Sequence, residues 1–575
     1  MDLSRLLSVA RGDAPADLLL ANARVVNVFS GEVEPTGIAV AGGRIAGIGA
    51  GYGAKETLDL GGRYVCPGFI DAHVHVESAL VTPREFARAV VPRGVTSVVT
   101  NPHEIANVCG IPGILFMMED AAGMPMTQYV TVPSCVPASR LATSGGRLDA
   151  DDLEQLLDEP LVLGLGEMMD FPGVVSGDER ALSEILSFSG GTIDGHAPGL
   201  SGKSLNAYVA AGITSDHECV TAEEAREKLR LGMTIFAREA TAARNLRALL
   251  PLVTPRTERR FCLCTDDRQP GDLLDEGSID HLIRLAIAQG IDPVTAIRMG
   301  TLNPAEHYGL NDLGAVAPGR RADLVVFSNL QRPSAEMVFR SGSLVGREGE
   351  LLTGRGRTDN PFFGEVRNRV KVEVADLEFS IPAAGTRIRA IGIIPDQIAT
   401  EHLVLEAKIE GGKAVADPDR DLLKIAVIER HLGSGRIGLG FVRGMGLRSG
   451  AIAGTVAHDH HNLVVIGADD RSMRTAARAA AISGGGLAAA RGDGVLCHLQ
   501  LPIAGLMSDQ PIETVRLGHD RLVEAARSLG SPLRDPFMTM SFLALEVIPA
   551  LKLTDLGVVD VERFEIVPLF APSGG

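Results

Sequence analysis

The sequence predicts an α/β protein that combines a (β/α)8 TIM barrel, a small β-sandwich domain built from both flanks of the barrel, and a C-terminal α+β domain. Two observations predict this class. Apolar strand-like runs alternate with helical patterns between residues 66 and 307, which is typical of repeated βα units. The chain also has 575 residues, beyond the ~250–300 at which a single hydrophobic core stops growing, so more than one domain is expected.

The flanks of the predicted barrel share short β-rich pieces broken by glycines. Residues 1–65 contain "GIAVAGGRIAGIGAG", and residues 308–364 return to the same character in "AVAPGRRADLVVFSNL". Segments of such similar pattern are expected to pair with each other into one sheet structure. We therefore assign residues 1–65 to the N-terminal part of the β-sandwich domain, and residues 308–364 to its C-terminal part and a linker.

Residues 66–307 are assigned to the barrel, with helices between the strands such as the one predicted from "AEEAREKLRLG". In chain order, the predicted strands end at "FIDAH", "GVTSVVTNPHE", "QYVTVPSC", "LVLGLGEM", "TIDGHAPG", "GITSDHE", "MTIFARE" and "RFCLCTDD". Barrels of this class carry their active sites at the C-terminal ends of the strands. The polar residues in these endings are therefore the first place to look for function.

Residues 365–575 are assigned to the C-terminal α+β domain, which has a glycine-rich middle. The letters "GSGRIG" match the dinucleotide fingerprint G-x-G-x-x-G, but the stretch that follows does not read as a helix. That fingerprint needs a helix N-terminus to hold a pyrophosphate. We therefore interpret these glycines as tight turns and close backbone packing.

Composition and charge argue against several classes of partner. The 72 acidic and 55 basic residues give a net charge of −17, which disfavours binding to nucleic acid. No uncharged run of 18 or more apolar residues occurs, so we expect no membrane span. Seven cysteines without CxxC spacing, and an N-terminus without the apolar core of a secretory signal, predict a cytoplasmic protein.

Histidines and carboxylates follow several of the predicted strands. His73 and His75 stand at the end of the first strand, where residues i and i+2 share one face. Imidazole is the commonest metal-binding side chain, and carboxylates add hard oxygen ligands. Each residue alone has an ordinary reading as a loop residue, whereas their joint arrival at strand ends predicts a site for two divalent ions. The set comprises His73, His75, Glu167, His196, His217 and Asp266.

The motifs around these residues resemble a known superfamily. "PGFIDAHVHVES", "GLGEM", "DGHAPG", "SDHE" and "CTDD" resemble the amidohydrolase superfamily. More narrowly, "NPHEIANVCG", "DGHAPGLSG", "HDHHN" and "LPIAGLMS" resemble the bacterial adenine deaminases over nearly the whole chain. The resemblance implies hydrolytic deamination of adenine to hypoxanthine and ammonia, in purine salvage or catabolism. It also implies a small-molecule substrate and a homo-oligomer, with a dimer favoured.

Two other readings of the same residues stay open at this point. The runner-up is an amidohydrolase that opens a cyclic amide, as a dihydroorotase or hydantoinase does, with the same metals. A catalytically dead amidohydrolase scaffold is the third reading, and its mark would be lost ligands. All six ligand positions are intact in this chain, which disfavours the scaffold.

The resemblance also implies how the ligands divide between two ions. In the superfamily pattern, His73, His75 and Asp266 hold one metal, and His196 and His217 hold the other. Many relatives bridge the ions with a carbamylated lysine after the fourth strand, but "LVLGLGEMMD" offers no lysine there. Glu167 stands at that place and is our bridging ligand. Mn²⁺ or Fe²⁺ is favoured by the resemblance, and Zn²⁺ also suits these ligands.

Catalytic roles follow from the same pattern. Asp266 is expected to act as general base towards the attacking water and then as general acid towards the leaving amine. Glu218 is expected to protonate ring N1, with Glu77 and Glu104 as competitors. By the alternation of strand side chains, Asp267 is expected to point away from the site.

Weaker signals assign substrate binding or an accessory role to five further residues, Glu77, His103, Glu104, His458 and His460. His103 in "NPHE" is either an ordinary loop residue or a contact to the substrate or to an extra metal. His458 and His460 lie in "HDHHN", which is either a strand-end turn or a contribution of the C-terminal domain to the pocket.

Overall fold

The strands of the N-terminal region belong to one sheet. The computed structural model describes residues 2–188, 190–354, 359–375, 377–395 and 397–572. Residues 355–358 of the predicted linker and residues 573–575 of the C-terminal region lie outside the described residues. After helix α1 (Leu3–Ala10) come five strands, which are β1 (Ala16–Val26), β2 (Val33–Ala41), β3 (Arg44–Ile48), β4 (Ala54–Asp59) and β5 (Tyr64–Pro67).

The central region contains a strand at each of the predicted endings. These strands are β6 (Phe69–Val74), β7 (Val95–Thr100), β8 (Thr127–Val132), β9 (Val162–Met168), β10 (Thr192–Gly195), β11 (Ser215–Asp216), β12 (Thr234–Arg238) and β13 (Phe261–Cys264). Every residue of β6 and β7 is buried, as expected for parallel strands covered by helices.

The eight central strands are joined at both sheet edges. Parallel pairing runs from β6 to β10 in one sheet and from β11 to β13 in another. Val74 forms a parallel bridge with Asp266 just after β13. At the other edge, the Thr214 amide before β11 donates to the Ile193 carbonyl of β10 at 2.9 Å. This arrangement brings the C-terminal ends of all eight strands to one side.

Helices fill the connections between these strands and follow the last strand, β13. They are α2 (Pro83–Val90), α3 (His103–Cys109), α4 (Ile111–Ala121), α5 (Ala150–Glu154), α6 (Phe171–Ser176), α7 (Glu179–Ser187), α8 (Gly202–Ala210), α9 (Ala222–Arg230), α10 (Leu246–Leu249), α11 (Pro270–Asp275), α12 (Ile279–Ala288), α13 (Pro293–Met299) and α14 (Leu302–His307). Several begin with the side-chain caps that helix N-termini require, as Thr221 does for α9 by accepting from the Glu224 amide.

The strands after the central region return to the N-terminal sheet. They are β14 (Leu324–Phe327), β15 (Met337–Arg340), β16 (Ser343–Arg347) and β17 (Glu350–Leu351). Strand β14 pairs antiparallel with β5, so both flanks of the central region share one hydrogen-bonded sheet. The predicted pairing of the two flanks is therefore observed.

The C-terminal region contains the remaining strands, β18 (Ile381–Pro382), β19 (Arg387–Ile393), β20 (Thr400–Glu406), β21 (Lys408–Glu410), β22 (Lys413–Val415), β23 (Leu422–Ile428), β24 (Ile437–Arg443), β25 (Ala451–Gly454), β26 (Leu463–Gly467), β27 (Gly486–Arg491), β28 (Gly494–Gln500), β29 (Leu551–Thr554), β30 (Gly557–Asp560) and β31 (Glu565–Val567). Its helices are α15 (Phe363–Val366), α16 (Asp470–Ile482), α17 (Ile512–Ser528) and α18 (Pro536–Ser541).

An eight-stranded sheet organises this region, in the order β20-β19-β24-β23-β26-β25-β27-β28. The alanine-rich face of α16 packs on it, with Ala476, Ala477 and Ala480 fully buried. The "GSGRIG" stretch runs into β24, a strand, so the prediction that no helix follows it is confirmed. In the part of the chain that the structure describes, no helix has the length and hydropathy needed to cross a bilayer.

Candidate active site

The two histidines of the first central strand lie side by side. Their Nε2 atoms are 3.1 Å apart, as the spacing on one strand face predicts. The His75 Nδ1 atom donates to the carbonyl of Asn101 at 2.9 Å, which leaves Nε2 with a lone pair for a ligand. The Asp266 Oδ1 atom lies 3.2 Å from Nε2 of His75 and 3.7 Å from Nε2 of His73. The two strand ends therefore meet.

Glu167, at the end of β9, lies in the middle of the histidines. Its Oε1 atom is 3.3 Å from Nε2 of His75, and its Oε2 atom is 2.9 Å from Nδ1 of His196 and 3.2 Å from Nε2 of His217. Burial raises the pKa of the Glu167 carboxyl, but the nearby imidazoles, with that of His103 first, hold this pKa well below its usual range.

The donor atoms of this cluster fit divalent ions. Ligand atoms lie within 4.8 Å of one another in several overlapping groups, among them His73–His75–Asp266, His73–Glu167–His217 and His196–His217–Glu218. All these residues are buried, and Nε2 of His196 has no hydrogen-bond partner among the described residues. Crowded, buried lone pairs of imidazole and carboxylate are costly unless cations lie between them. The structure thus brings all six predicted ligands together.

Arg238 is a site residue that sequence reasoning missed. It ends β12 and is buried, with Nη1 donating to Oδ2 of Asp266 at 2.6 Å and Nη2 donating to Oε2 of Glu218 at 2.9 Å. Its position in "MTIFARE" at the end of the seventh predicted strand was the available signal. Arginine has no lone pair to offer to a metal ion, so a pattern of metal ligands does not include it.

The pairing with Arg238 bears on the role expected for Glu218. Burial raises the pKa of the Glu218 carboxyl, but the guanidinium of Arg238 lowers it below its usual value overall. A carboxylate held as the anionic partner of an arginine accepts hydrogen bonds. This geometry favours a positioning role for Glu218 over donation of a proton to the substrate.

The prediction that the Asp267 side chain points away from the site is wrong. Asp267 lines the same cavity as Asp266, and its carboxylate accepts a hydrogen bond from the Ser78 hydroxyl. Strand β13 ends at Cys264, and Asp266 has a φ of 54° in the left-handed region. The alternation of strand side chains therefore no longer applies at these two residues.

A second cluster joins the barrel to the C-terminal region. His103 Nδ1 lies 3.0 Å from Oε1 of Glu167, so its ring adjoins the central carboxylate. The neighbouring Glu104 carboxylate accepts from Nδ1 of His458 and from Nε2 of His461, both from the loop between β25 and β26. Four histidine and carboxylate side chains thus connect the two regions at the mouth of the barrel.

Two residues with predicted accessory roles lie outside the cavity lining. His460 turns away, with Nε2 donating to the Ala544 carbonyl at 3.0 Å, so His461 rather than His460 joins His458 at Glu104. Glu77 accepts from the Ile105 amide at 3.3 Å, and burial raises the pKa of its carboxyl to about 7. Neither residue is among those that line the cavity.

The cavity beside these clusters is narrow in this structure, with a volume of about 30 Å³. The polar part of its wall carries the residues described above. The apolar part of its wall comprises Met169, Ala240, Ala242, Ala243, Ile398, Phe542 and Leu545. Ile398, Phe542 and Leu545 come from the C-terminal region, so both regions of the chain build the cavity.

The fold and site together define an amidohydrolase, and residues 64–345 match the model of the amidohydrolase family. Membership in this family implies divalent metal ions, which the grouped histidines and carboxylates are able to hold. Residues 397–565 match the adenine deaminase C-terminal domain.

Relatives that match over the full length of the chain identify one family within the amidohydrolases. The adenine deaminase of Desulfatibacillum aliphaticivorans is 49% identical over 568 residues, covering 98% of this chain and 99% of that protein. Adenine deaminase 2 of Carboxydothermus hydrogenoformans is 49% identical over 567 residues, with the same coverage. The adenine deaminase of Kosmotoga olearia is 46% identical over 583 residues and covers both chains completely. The chain belongs to the adenine deaminase family.

Proposed function

We propose that this protein hydrolyses adenine to hypoxanthine and ammonia at a site that holds two divalent ions. The observation that carries the proposal is the meeting of six buried histidine and carboxylate side chains, five of which line one small cavity. Family membership over the whole chain specifies the substrate among the reactions that such a site supports.

The proposed ligands divide between two ions around Glu167. His73, His75 and Asp266 would hold the first ion, and His196 and His217 would hold the second. Support for the bridging role of Glu167 comes from its two oxygens, which face different histidines. Nitrogen and carboxylate donors without thiolate favour Mn²⁺ or Fe²⁺, and Zn²⁺ also suits them.

The reaction divides between the ions and the protein. When bound, divalent ions in such a site supply Lewis acidity and lower the pKa of water towards neutrality. Asp266 accepts a proton from the attacking water and delivers it to the leaving amine. Arg238 holds Oδ2 of Asp266, so that Oδ1 stays directed at the histidines. The apolar wall packs against the flat purine ring and excludes bulk water.

We further propose the domain division expected from the sequence. Residues 1–65 and 308–364 form a β-sandwich domain with a linker, residues 66–307 form the (β/α)8 barrel, and residues 365–575 form the C-terminal α+β domain. Strand β5 precedes most of the barrel in the chain and β14 follows it, and their pairing supports the β-sandwich domain. The links at both edges of the eight central strands support the barrel.

A substrate panel tests the proposal against its rivals. Protein loaded with Mn²⁺ or Fe²⁺ is incubated with adenine, dihydroorotate and hydantoin, and ammonia, hypoxanthine and acid are measured. We expect ammonia and hypoxanthine in equal amounts from adenine, and no product from the cyclic amides. If a cyclic amide releases acid and adenine releases no ammonia, the protein catalyses the ring-opening reaction and the proposal is wrong. No product from any of the three would favour a scaffold.

A further inference from the structure

One imidazole nitrogen faces the cavity without a partner. His458 lines the cavity from the loop between β25 and β26, and its side chain is almost fully buried, with 3% exposed. Its Nδ1 atom is bonded to the Glu104 carboxylate across the boundary between the two regions. Its Nε2 atom has no hydrogen-bond partner among the described residues. A buried polar atom of this kind is costly unless a ligand or water meets it.

The ring of His458 is held rigidly in this position. Phe542 stacks on its face, with ring centroids 4.5 Å apart and planes 11° apart. The Glu104 carboxylate is itself held on its other oxygen by His461. A histidine oriented through Nδ1 by a carboxylate presents Nε2 in a fixed direction, as general acids and bases in enzymes do.

Negative groups surround His458 from several elements. Glu104 of α3, Asp267 after β13 and Asp459 of the same loop face it, and His461 is the nearby group of opposite effect. Burial lowers the pKa of His458, but these carboxylates raise it to about 9 overall. The ring is therefore an imidazolium at neutral pH, and Nε2 carries a proton.

We propose that His458, supplied by the C-terminal domain, is the catalytic residue that donates a proton to ring N1 of adenine. The inference rests on the proposed function and replaces Glu218 in the role that the sequence suggested. Glu218 is engaged by Arg238 through both of its oxygens. His458 offers an uncommitted donor at the cavity wall instead.

The proton balance of the reaction closes with this assignment. The water oxygen bonds to C6 as N1 takes the proton of His458 Nε2. One proton of that water moves to Asp266, and the other stays on the oxygen as a hydroxyl proton. Asp266 then protonates the amine, and the C6–N bond breaks with its electron pair leaving on ammonia. The hydroxyl proton on C6 is released to solvent, and His458 regains a proton from solvent. Adenine and water thus become hypoxanthine, which keeps hydrogen at N1, and ammonia.

The test compares His458→Gln with His498→Gln in the Mn²⁺-loaded protein. His498 belongs to the same C-terminal region but bonds to the Ser483 hydroxyl at 3.0 Å, away from the cavity, so its substitution is the matched control. We expect kcat for adenine to fall by at least ~10²-fold in His458→Gln and to stay unchanged in His498→Gln. Metal content and the circular dichroism spectrum should match the wild type in both variants.

The pH profile separates a proton donor from a structural residue. Because the donor must be protonated, kcat/KM of the wild type should fall as the pH rises through about 9. His458→Gln should lack this fall, whereas His461→Gln, which changes the support of Glu104 but not the cavity wall, should retain it. A basic limb that persists in His458→Gln, a normal kcat, or a loss of metal from that variant would each overturn the inference. Absence of ammonia from wild-type protein would instead reject the proposed function.

Discussion

At the scale of single residues, Glu167 is the side chain on which the pairing of the two ions depends. Its two oxygens face different histidines, and Asn101 fixes one of them by donating at 3.0 Å. An amide cannot bridge two cations with two anionic oxygens. We therefore expect Glu167→Gln to bind less than two equivalents of metal and to lower kcat, as measured by elemental analysis and ammonia release. Normal metal content with a normal rate would place Glu167 outside the ligand set.

The paired histidines at the end of β6, His73 within the strand and His75 just after it, allow a second test at this scale. His73→Ala or His75→Ala removes one nitrogen ligand from a buried group of three that includes Asp266. We expect either variant to lose metal from the first site and to lose measurable turnover. The metal content of purified protein is the direct measurement. Either variant with full metal and full activity would contradict the assignment.

Asp266 and Asp267 form an internal comparison within one loop. Asp266 contacts His75 and Arg238, whereas Asp267 bonds to Ser78 at the cavity edge. We expect Asp266→Asn to lower kcat by at least ~10²-fold, because it removes the general base and a ligand. Asp267→Asn should cost much less, since it keeps a group that accepts from Ser78. A larger loss in Asp267→Asn would move the catalytic role to that residue.

The six proposed ligands were predictable because strand ends follow directly from apolar runs. His73 and His75 share a strand face, and their Nε2 atoms lie 3.1 Å apart as expected. Asp267 was misplaced because the chain leaves strand geometry at Asp266. The accessory role predicted for His460 stays a prediction. The contact of His461 with Glu104 could not be predicted, since an irregular loop has no period from which side-chain direction follows.

At the scale of elements, strand β29 supports the roof of the cavity through one buried lysine. Lys552 donates at 2.9 Å to the carbonyls of Ile398 and Phe542, both of which line the cavity. Burial lowers the pKa of Lys552 to about 7. This lysine therefore joins two apolar segments, and it has no acidic partner among the residues that the structure describes.

The depressed pKa of Lys552 predicts a pH-dependent stability difference. A folded pKa of about 7 lies below the ordinary value of 10.5, so between these values the unfolded chain binds the extra proton. The stability of the wild type relative to Lys552→Met should therefore be highest above pH 10.5 and decline as the pH falls towards 7. Thermal unfolding of both proteins from pH 7 to 10 measures this difference. A difference that does not change with pH would show that the pKa of Lys552 is not depressed.

The eight central strands were predicted from periodicity alone, including β11, which is only two residues long. Apolar runs bounded by glycines sufficed because these strands are buried on both faces. The loop between β25 and β26 could not be placed in the same way. Its position over the barrel depends on contacts such as that between Glu104 and His458, which are distant in sequence.

At the scale of the whole molecule, the central region and the C-terminal region line one cavity together. The central region provides the proposed ligands, and the C-terminal region provides His458 and part of the apolar wall. The hydrogen bonds of Glu104 with His458 and His461, and the stacking of Phe542 on His458, join the C-terminal region to the proposed site. The homo-oligomer suggested by the family resemblance stays a prediction.

The most direct test of a two-metal adenine deaminase is a metal titration of the metal-free protein. Mn²⁺ is added in fractions of an equivalent, and the initial rate of ammonia release from adenine is measured at each step. The six grouped ligands predict a rate that rises until two equivalents are bound and then stays constant. Ammonia release at full rate without added metal, or none at two bound equivalents, would contradict the proposed mechanism.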